Sequence, residues 1–292
     1  MITSLGNSRI KHLTALREKT RERNREGLFL AEGIKMFEEA PLDKIKEVYC
    51  GESFYQLLLN SMETKEKLPE IIRLQKAFHK LEQCGKQGIF TERLSDEALK
   101  KAADTMTPQG ILFVMEQFSY SLEDMLEQAL GLFREKGRNP LFLILEDIQD
   151  PGNLGTMIRT GEGAGVSGVI LSKGCVDIYN PKTIRSTMGS LYRVPFVYRE
   201  NLGEAVKELQ KHDIRVYAAH LKGEQYFDRI DYSGGSAFLV GNEGNGLKEE
   251  TADLADAYIK IPMEGSLESL NAAVAAALLL YQAAGYNRKD GK

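Results

Sequence analysis

The stretch "LFLILEDIQDPGNLGTMIRT", Leu141 to Thr160, decides how this chain folds. Its opening residues are an unbroken apolar run, the signature of a strand covered on both faces in a parallel sheet. Asp150-Pro-Gly-Asn153 then breaks the chain. Leu154, Met157, Ile158 and Gly161 follow at helical spacing and predict a helix face packed on the sheet. Strand, turn and helix in that order make a βα unit. Its turn sits at a strand's carboxyl end, where open α/β sheets hold their ligands. In this reading Asn153 is the N-cap, its side chain accepting from first-turn amides. Gly155 and Arg159, four apart, are neighbours on another face of the helix. Helix-start amides and a fixed guanidinium suit a phosphate or another oxyanion. A capped helix whose Arg159 pairs with Glu162 or solvent is equally compatible with the pattern.

Outward from this unit, the second half of the chain alternates. Strands are predicted at 141–147, 168–172, 194–198, 214–219, 237–241 and 257–261. Helices are predicted near 153–163, 181–190, 202–212, 247–254 and 268–284. Such alternation implies crossover connections and a mostly parallel sheet with helices on both faces. "GAGVSG", Gly163 to Gly168, matches a dinucleotide fingerprint but closes a helix and opens a strand, the reverse of what that motif needs. Gly163 and Gly165 read instead as a helix end and turn. The first half reads as a smaller α/β unit: a helix over 8–25, strands in "GLFLAEG", "IKEVYC" and "GILFVMEQ", and helical segments between. A polar helix near 121–136 leads to the breaker run "EKGRNP". The expected division is 1–118, a linker segment 119–139, and 140–292.

The chain has 292 residues, a net charge of −4 and 42% hydrophobic residues, ordinary for a globular protein with a sizeable core. Cys50, Cys84 and Cys175 are odd in number and widely spaced, which argues against a disulfide framework and fits a reducing compartment. No ligand cluster for a metal is visible. The apolar run "AAVAAALLLY" is too short to span a bilayer, and the start lacks a signal-like apolar region. A cytoplasmic protein is expected. Residues 1–25 carry Arg9, Lys11, Arg17, Lys19, Arg21, Arg23 and Arg25 against Glu18 and Glu22. A basic arm on an acidic body reads either as a nucleic-acid footprint or as a solvated helix face.

Two further segments carry chemistry. In "FLVGNEGNGLKEE", an apolar strand runs into Gly241-Asn-Glu-Gly-Asn-Gly246. Three glycines let the backbone approach a ligand, and Glu243 sits at the apex. In "IKIPMEGSLESLNAAVAAALLLYQAAG", a strand ends at Ile261-Pro262. Ser269-Leu270-Asn271 then precedes a helix apolar nearly all round, which must be buried in a core or at a subunit contact. Ser269 or Asn271 is expected to cap it. A fourth segment, "NPKTIRSTMGSLYRVPF", carries Lys182, Arg185 and Arg193 as a candidate RNA-facing surface.

Together these segments resemble the three motifs of the SpoU (TrmH-type) RNA ribose methyltransferases of the SPOUT superfamily. They are N-x-G-x-x-x-R at Asn153, Gly155 and Arg159, G-N-E-G-x-G-L at Gly241 to Leu247, and I-P-M … S-L-N with an Ala-rich helix from Ile261 to Leu280. The first 110 or so residues resemble the L30e-like substrate-binding domain common in that family. The resemblance implies a C-terminal deep trefoil knot, which no pattern in the sequence would show. It also implies a homodimer through the knotted domain, and S-adenosylmethionine as methyl donor. By resemblance the cofactor contacts fall on Gly241, Asn242, Gly246, Ile261, Met263 and Leu270, and the catalytic positions on Asn153, Arg159, Glu243, Ser269 and Asn271. One departure is Ala273, where many members carry a hydroxyl. The implied acceptor is a ribose 2′-OH, the group that separates RNA from DNA, in ribosomal RNA more than transfer RNA. A non-catalytic RNA-binding protein of the same fold is the alternative.

Overall fold

The computed structural model describes residues 1–287; residues 288–292 of the expected second domain lie outside the described residues. The chain forms two compact units. One comprises Met1–Phe118 with Tyr179–Tyr192, the other Ser119–Ile178 with Arg193 onward. The segment 179–192, expected in the second domain, therefore belongs with the first.

The first unit runs α1 (Ser8–Glu18), α2 (Thr20–Glu26), β1 (Leu28–Glu32), α3 (Ile34–Glu39), β2 (Ile45–Gly51), α4 (Glu52–Glu63), α5 (Pro69–Lys86), β3 (Phe90–Leu94), α6 (Asp96–Ala102) and β4 (Ile111–Glu116). Its sheet has the order β1-β4-β2-β3. β4 is antiparallel to both β1 and β2, and β3 joins β2 in parallel. Ile10, Leu13 and Leu16 of α1 pack with Ala98, Leu99 and Ala102 of α6 and with Leu30 and Leu112 of the sheet. The single helix expected over 8–25 is broken at Lys19, which is extended. The reason is Arg23, whose guanidinium folds back to donate to the carbonyls of Leu16 (2.8 Å) and Arg17 (3.0 Å) and so caps the end of α1. β3 has no strong alternation in "FTERL" and escaped the sequence reading.

The second unit runs α7 (Leu122–Lys136), β5 (Leu141–Leu145), α8 (Pro151–Ala164) and β6 (Gly168–Ser172). After α9 (Pro181–Thr187) in the first unit, it continues with β7 (Phe196–Arg199), α10 (Leu202–Lys211), β8 (Ile214–Ala219), β9 (Gln225–Tyr226), β10 (Gly235–Val240), α11 (Glu249–Ala252), β11 (Ala257–Lys260) and α12 (Ala272–Asn287). The order β7-β6-β5-β10-β8-β11-β9 makes a seven-stranded sheet, and every pairing in it is parallel. Phe142, Ile144, Val216, Ala218 and Leu239 bury one face under α7 and α10. α12 packs on β5, β10 and α8 from the other. All five residues of β5 are buried, each stabilising the fold by about 1.5–3 kcal/mol. Gly165, at φ +80°, ends α8 as a left-handed cap, and β6 starts at Gly168, so "GAGVSG" is the turn it was read to be. The two-residue β9 was not foreseen.

This topology fixes where a site can form. β5 leaves through α8 toward β6, while its neighbour β10 leaves through α11 toward β11 on the opposite side. Their carboxyl-end loops therefore diverge, and a crevice opens between them.

Candidate active site

The crevice is built first by caps. Pro151 takes the first position of α8, where no N–H is needed. The cap is consequently the residue before it: Asn153 N donates to Asp150 Oδ1 at 2.8 Å. The expected N-cap role of Asn153 is thus wrong, and its side chain is released for something else. Asn153 Nδ2 donates to Glu243 Oε1 (3.0 Å), and Asn153 Oδ1 accepts from Asn271 Nδ2 (3.0 Å). Three segments far apart in sequence are joined by two hydrogen bonds.

Glu243 also accepts from the backbone N–H of Gln149 and of Asp150, both at 3.2 Å. An anion is favoured at a helix N-terminus by the unpaired amides and the dipole there. Here the anion that the sequence led one to expect is supplied from within, by this carboxylate. Burial pushes the Glu243 carboxyl up, but the hydrogen bonds from Asn153 and the backbone outweigh it and hold it below the ordinary range.

The Gly241–Gly246 loop closes on itself. Asn242 N and Gly246 N each donate to the other's carbonyl (3.0 and 2.9 Å), and Asn242 Oδ1 accepts from Gly244 N and Asn245 N. A Cβ on Gly241 would lie 2.2 Å from the Gly246 carbonyl carbon, so only glycine fits there. Asn242 Nδ2 ties the loop to the Asp147 carbonyl at 2.7 Å. Asp147 itself sits at φ +52°, a conformation Asp tolerates better than most. Its carboxylate accepts from Lys248 (2.8 Å) and Ser172 (2.7 Å). Those hydrogen bonds, that from Lys248 foremost, hold it below its usual range.

Asn271 caps α12, accepting from Ala273 N at 2.9 Å and Val274 N at 3.3 Å. Of the two expected caps it is the one used, and α12 accordingly starts at Ala272 rather than near 268. Ala273 is buried. The helix expected over 247–254 shrinks to Glu249–Ala252, because Lys248 N and Thr251 Oγ1 are both drawn to the buried Glu146 carboxylate.

Beside this network lies a cavity of about 320 Å³. Gly241, Asn242, Gly246, Ile261, Met263 and Leu270 all line it, with Ser269 and Glu243. Ala219, His220 and Leu221 complete the wall from the end of β8. No motif marks these three. The signal for them was positional only: β8 is the parallel neighbour of β10.

Arg159 stands apart. It is exposed, it does not line the cavity, and no hydrogen bond or ion pair among the described residues engages it. The alternative pairing with Glu162 is not formed; Glu162 holds Arg193 instead. Arg159 lies one turn from Gly163, where a Cβ would come within 2.6 Å of the Tyr281 hydroxyl of α12. It therefore flanks the exposed stripe Val274, Leu278 and Tyr281, which are 48%, 39% and 46% accessible.

The expected basic surfaces are largely consumed internally. Arg9 donates to Glu47 and Tyr49 and lies 3.6 Å over the Phe90 ring. Arg17 binds the carbonyls of Lys101 and Ala103, and Arg25 pairs with Glu22 and Glu26. Arg185 pairs with Asp104. Within the arm Lys11, Lys19 and Arg21 remain exposed and without a partner among the described residues.

Comparison with known proteins agrees with this geometry. Residues 140–281 match the model of the SpoU rRNA Methylase family, and residues 7–112 match an MRM3-like substrate binding domain. The chain is 34% identical to the 23S rRNA (guanosine(2553)-2′-O)-methyltransferase RlmP of Bacillus subtilis over 97% of its own length and 99% of that protein's. It is 32% identical to the 23S rRNA (guanosine-2′-O-)-methyltransferase RlmB of Xanthomonas campestris, over 69% of this chain and 80% of the relative. The crystal structure of an AdoMet-bound rRNA methyltransferase from Sinorhizobium meliloti superposes with a TM-score of 0.77 at 28% identity, covering 97% of this chain and 96% of that one. The chain belongs to the SpoU rRNA methylase family.

Proposed function

We propose that this protein is an S-adenosylmethionine-dependent methyltransferase that modifies a ribose 2′-OH in ribosomal RNA. The observation that carries the reading is the Asn271–Asn153–Glu243 chain of hydrogen bonds, which draws three separate loops to the rim of one cavity. Ribosomal rather than transfer RNA is favoured by the names of RlmP and RlmB. The cavity suits the cofactor. Its volume, about 320 Å³, falls within the range of small-molecule sites, roughly 300–1,000 Å³. Its walls join apolar Leu221, Ile261, Met263 and Leu270 to the backbone of a glycine loop. Bound there, S-adenosylmethionine supplies an electrophilic sulfonium methyl.

The protein's own groups then have defined tasks. As the new O–C bond forms, the methyl's bond to sulfur would break, leaving the neutral thioether, and the 2′-oxygen would give its proton to water. Arg159 stabilises the developing alkoxide and grips the neighbouring phosphate; a guanidinium does not deprotonate in a protein, so it is no free base. Glu243 and Asn153 keep the loops after β5 and β10 in register, and Asn271 fixes the start of α12. Ser269 lines the cavity, and its hydroxyl would meet the methyl donor there.

Arg159 does not line the cavity of its own chain, and the apolar stripe beside it is of the kind that marks an interface. We therefore take the working unit to be a homodimer joined through α12 and α8, in which the partner's Arg159 completes each site. The deep trefoil knot implied by the resemblance belongs to the same reading, and the packing of α12 on β5, β10 and α8 is compatible with it. Three buried free cysteines fit a cytoplasmic setting, and no helix among the described residues is long and apolar enough to cross a membrane.

The test is methyl transfer from labelled S-adenosylmethionine to ribosomal RNA lacking the modification. Alkali-resistant dinucleotides in the product are expected with the wild type. Transfer to a base, or none, would contradict the reading.

A further inference from the structure

We infer that His220 is a specificity-determining contact for the nucleoside half of the methyl donor, donating its Nε2–H into the cavity. The inference rests on the cofactor reading above and adds a residue to it. β8 ends at Ala219, and the chain turns at once. His220 N donates to the Ile259 carbonyl and Gly223 N donates to the His220 carbonyl, each at 2.9 Å. Gly223 lets this turn press against β11, since a Cβ there would lie 2.7 Å from the Ile259 carbonyl carbon. The imidazole stacks on Tyr258, with centroids 5.1 Å apart and planes 28° from parallel. Its Nδ1 accepts the Lys222 backbone N–H at 3.1 Å.

That last bond decides the tautomer. A nitrogen that accepts carries no proton, so the neutral ring holds its hydrogen on Nε2. His220 lines the cavity, and its Nε2 makes no hydrogen bond among the described residues. A half-buried donor held in place by a stack and by its own backbone is left open to an acceptor on a ligand in the cavity. Its neighbours on that wall, Ala219, Leu221 and Ile259, carry no charge to meet an amino-acid tail; of the charged lining residues, Lys260 lies over the Tyr226 ring, and Glu243 and Glu268 belong to other loops. The uncharged neighbours suit a purine nucleoside, whose ring nitrogens and ribose oxygens accept.

The experiment measures binding by calorimetry to the full-length protein, with melting curves to confirm folding. The ligands are S-adenosylhomocysteine and 5′-methylthioadenosine, which keeps the nucleoside but lacks the amino-acid tail. His220→Phe should weaken both by about tenfold and raise the KM for S-adenosylmethionine likewise, with kcat unchanged at saturation. His220→Gln, which keeps an N–H donor, should stay within about threefold of wild type, the loss expected from imperfect geometry alone. Wild-type affinity in His220→Phe overturns the contact. Equal losses in the two variants overturn the donor role. A loss confined to S-adenosylhomocysteine overturns the nucleoside assignment. A wild type that binds neither ligand overturns the cofactor reading itself.

Discussion

Two arginines on two helices show how little a count of charge says about function. Arg23, in the basic arm, is 2% exposed and donates to two carbonyls and to the Thr20 hydroxyl. Arg159, on α8, is exposed and engages no side chain or carbonyl among the described residues. The arm attracted notice because it concentrates cations, yet Arg9, Arg17, Arg23 and Arg25 are all held by groups of their own chain. Arg159 is one cation in a mostly uncharged helix. A guanidinium saturated by its own chain has nothing left for a substrate. One left open beside an apolar stripe has all five N–H donors available.

The sharpest way to break this contrast is to remove each arginine in turn. Arg159→Ala should lower turnover by about 10²–10³, the roughly 3–4 kcal/mol that a donor aimed at developing charge supplies. Its melting temperature and its affinity for S-adenosylhomocysteine should not change. Near-wild-type turnover would remove Arg159 from the chemistry. Arg23→Ala should do the reverse. A buried carbonyl and a half-buried one lose their donor, so stability falls by about 2–4 kcal/mol in urea unfolding while turnover per folded molecule is kept. If turnover fell with stability intact, the arm would be functional after all.

A smaller effect is expected at Glu243. Glu243→Gln keeps one neutral acceptor oxygen but sets an NH2 against a donor that the carboxylate accepted from, and should cost about 1–2 kcal/mol at most, solvent exposure holding the figure down. The pH dependence has a definite sign. The folded-state pKa of Glu243 is depressed. Its contribution is therefore present above the unfolded value, about 4.3, and is lost as pH falls through the lower folded value. Acid titration of stability should show that limb in wild type and a weaker one in Glu243→Gln; identical curves would mean that the carboxylate does not hold the loop. The smallest effect belongs to the arm's remaining cations. Charge reversal at Lys11, Lys19 and Arg21 should lessen the salt dependence of RNA binding, by at most about 0.9 in log–log slope for each phosphate no longer neutralised. An unchanged slope would leave the arm no part in RNA binding.

Much of the second unit was legible. The strands at 168–172 and 214–219 have the bounds expected, because β6 is buried throughout and β8 is apolar apart from the exposed Arg215. Local competition was harder to read. Asp150 displaced Asn153 as cap because Pro151 occupies the first helical position. β3 and the two-residue β9 gain their stability from neighbouring strands rather than from their own residues.

From residue order alone came the element types, the glycine loop at 241–246, and the three segments worth watching, since propensity, capping and hydrophobic period act over a few residues. Strand order decided the rest. Placing β10 between β5 and β8 brings Asn153, Glu243 and Asn271 together, sets His220 in the cavity wall, and leaves Arg159 facing outward. Those meetings depend on pairings between residues up to 118 positions apart, a distance over which no local pattern carries information.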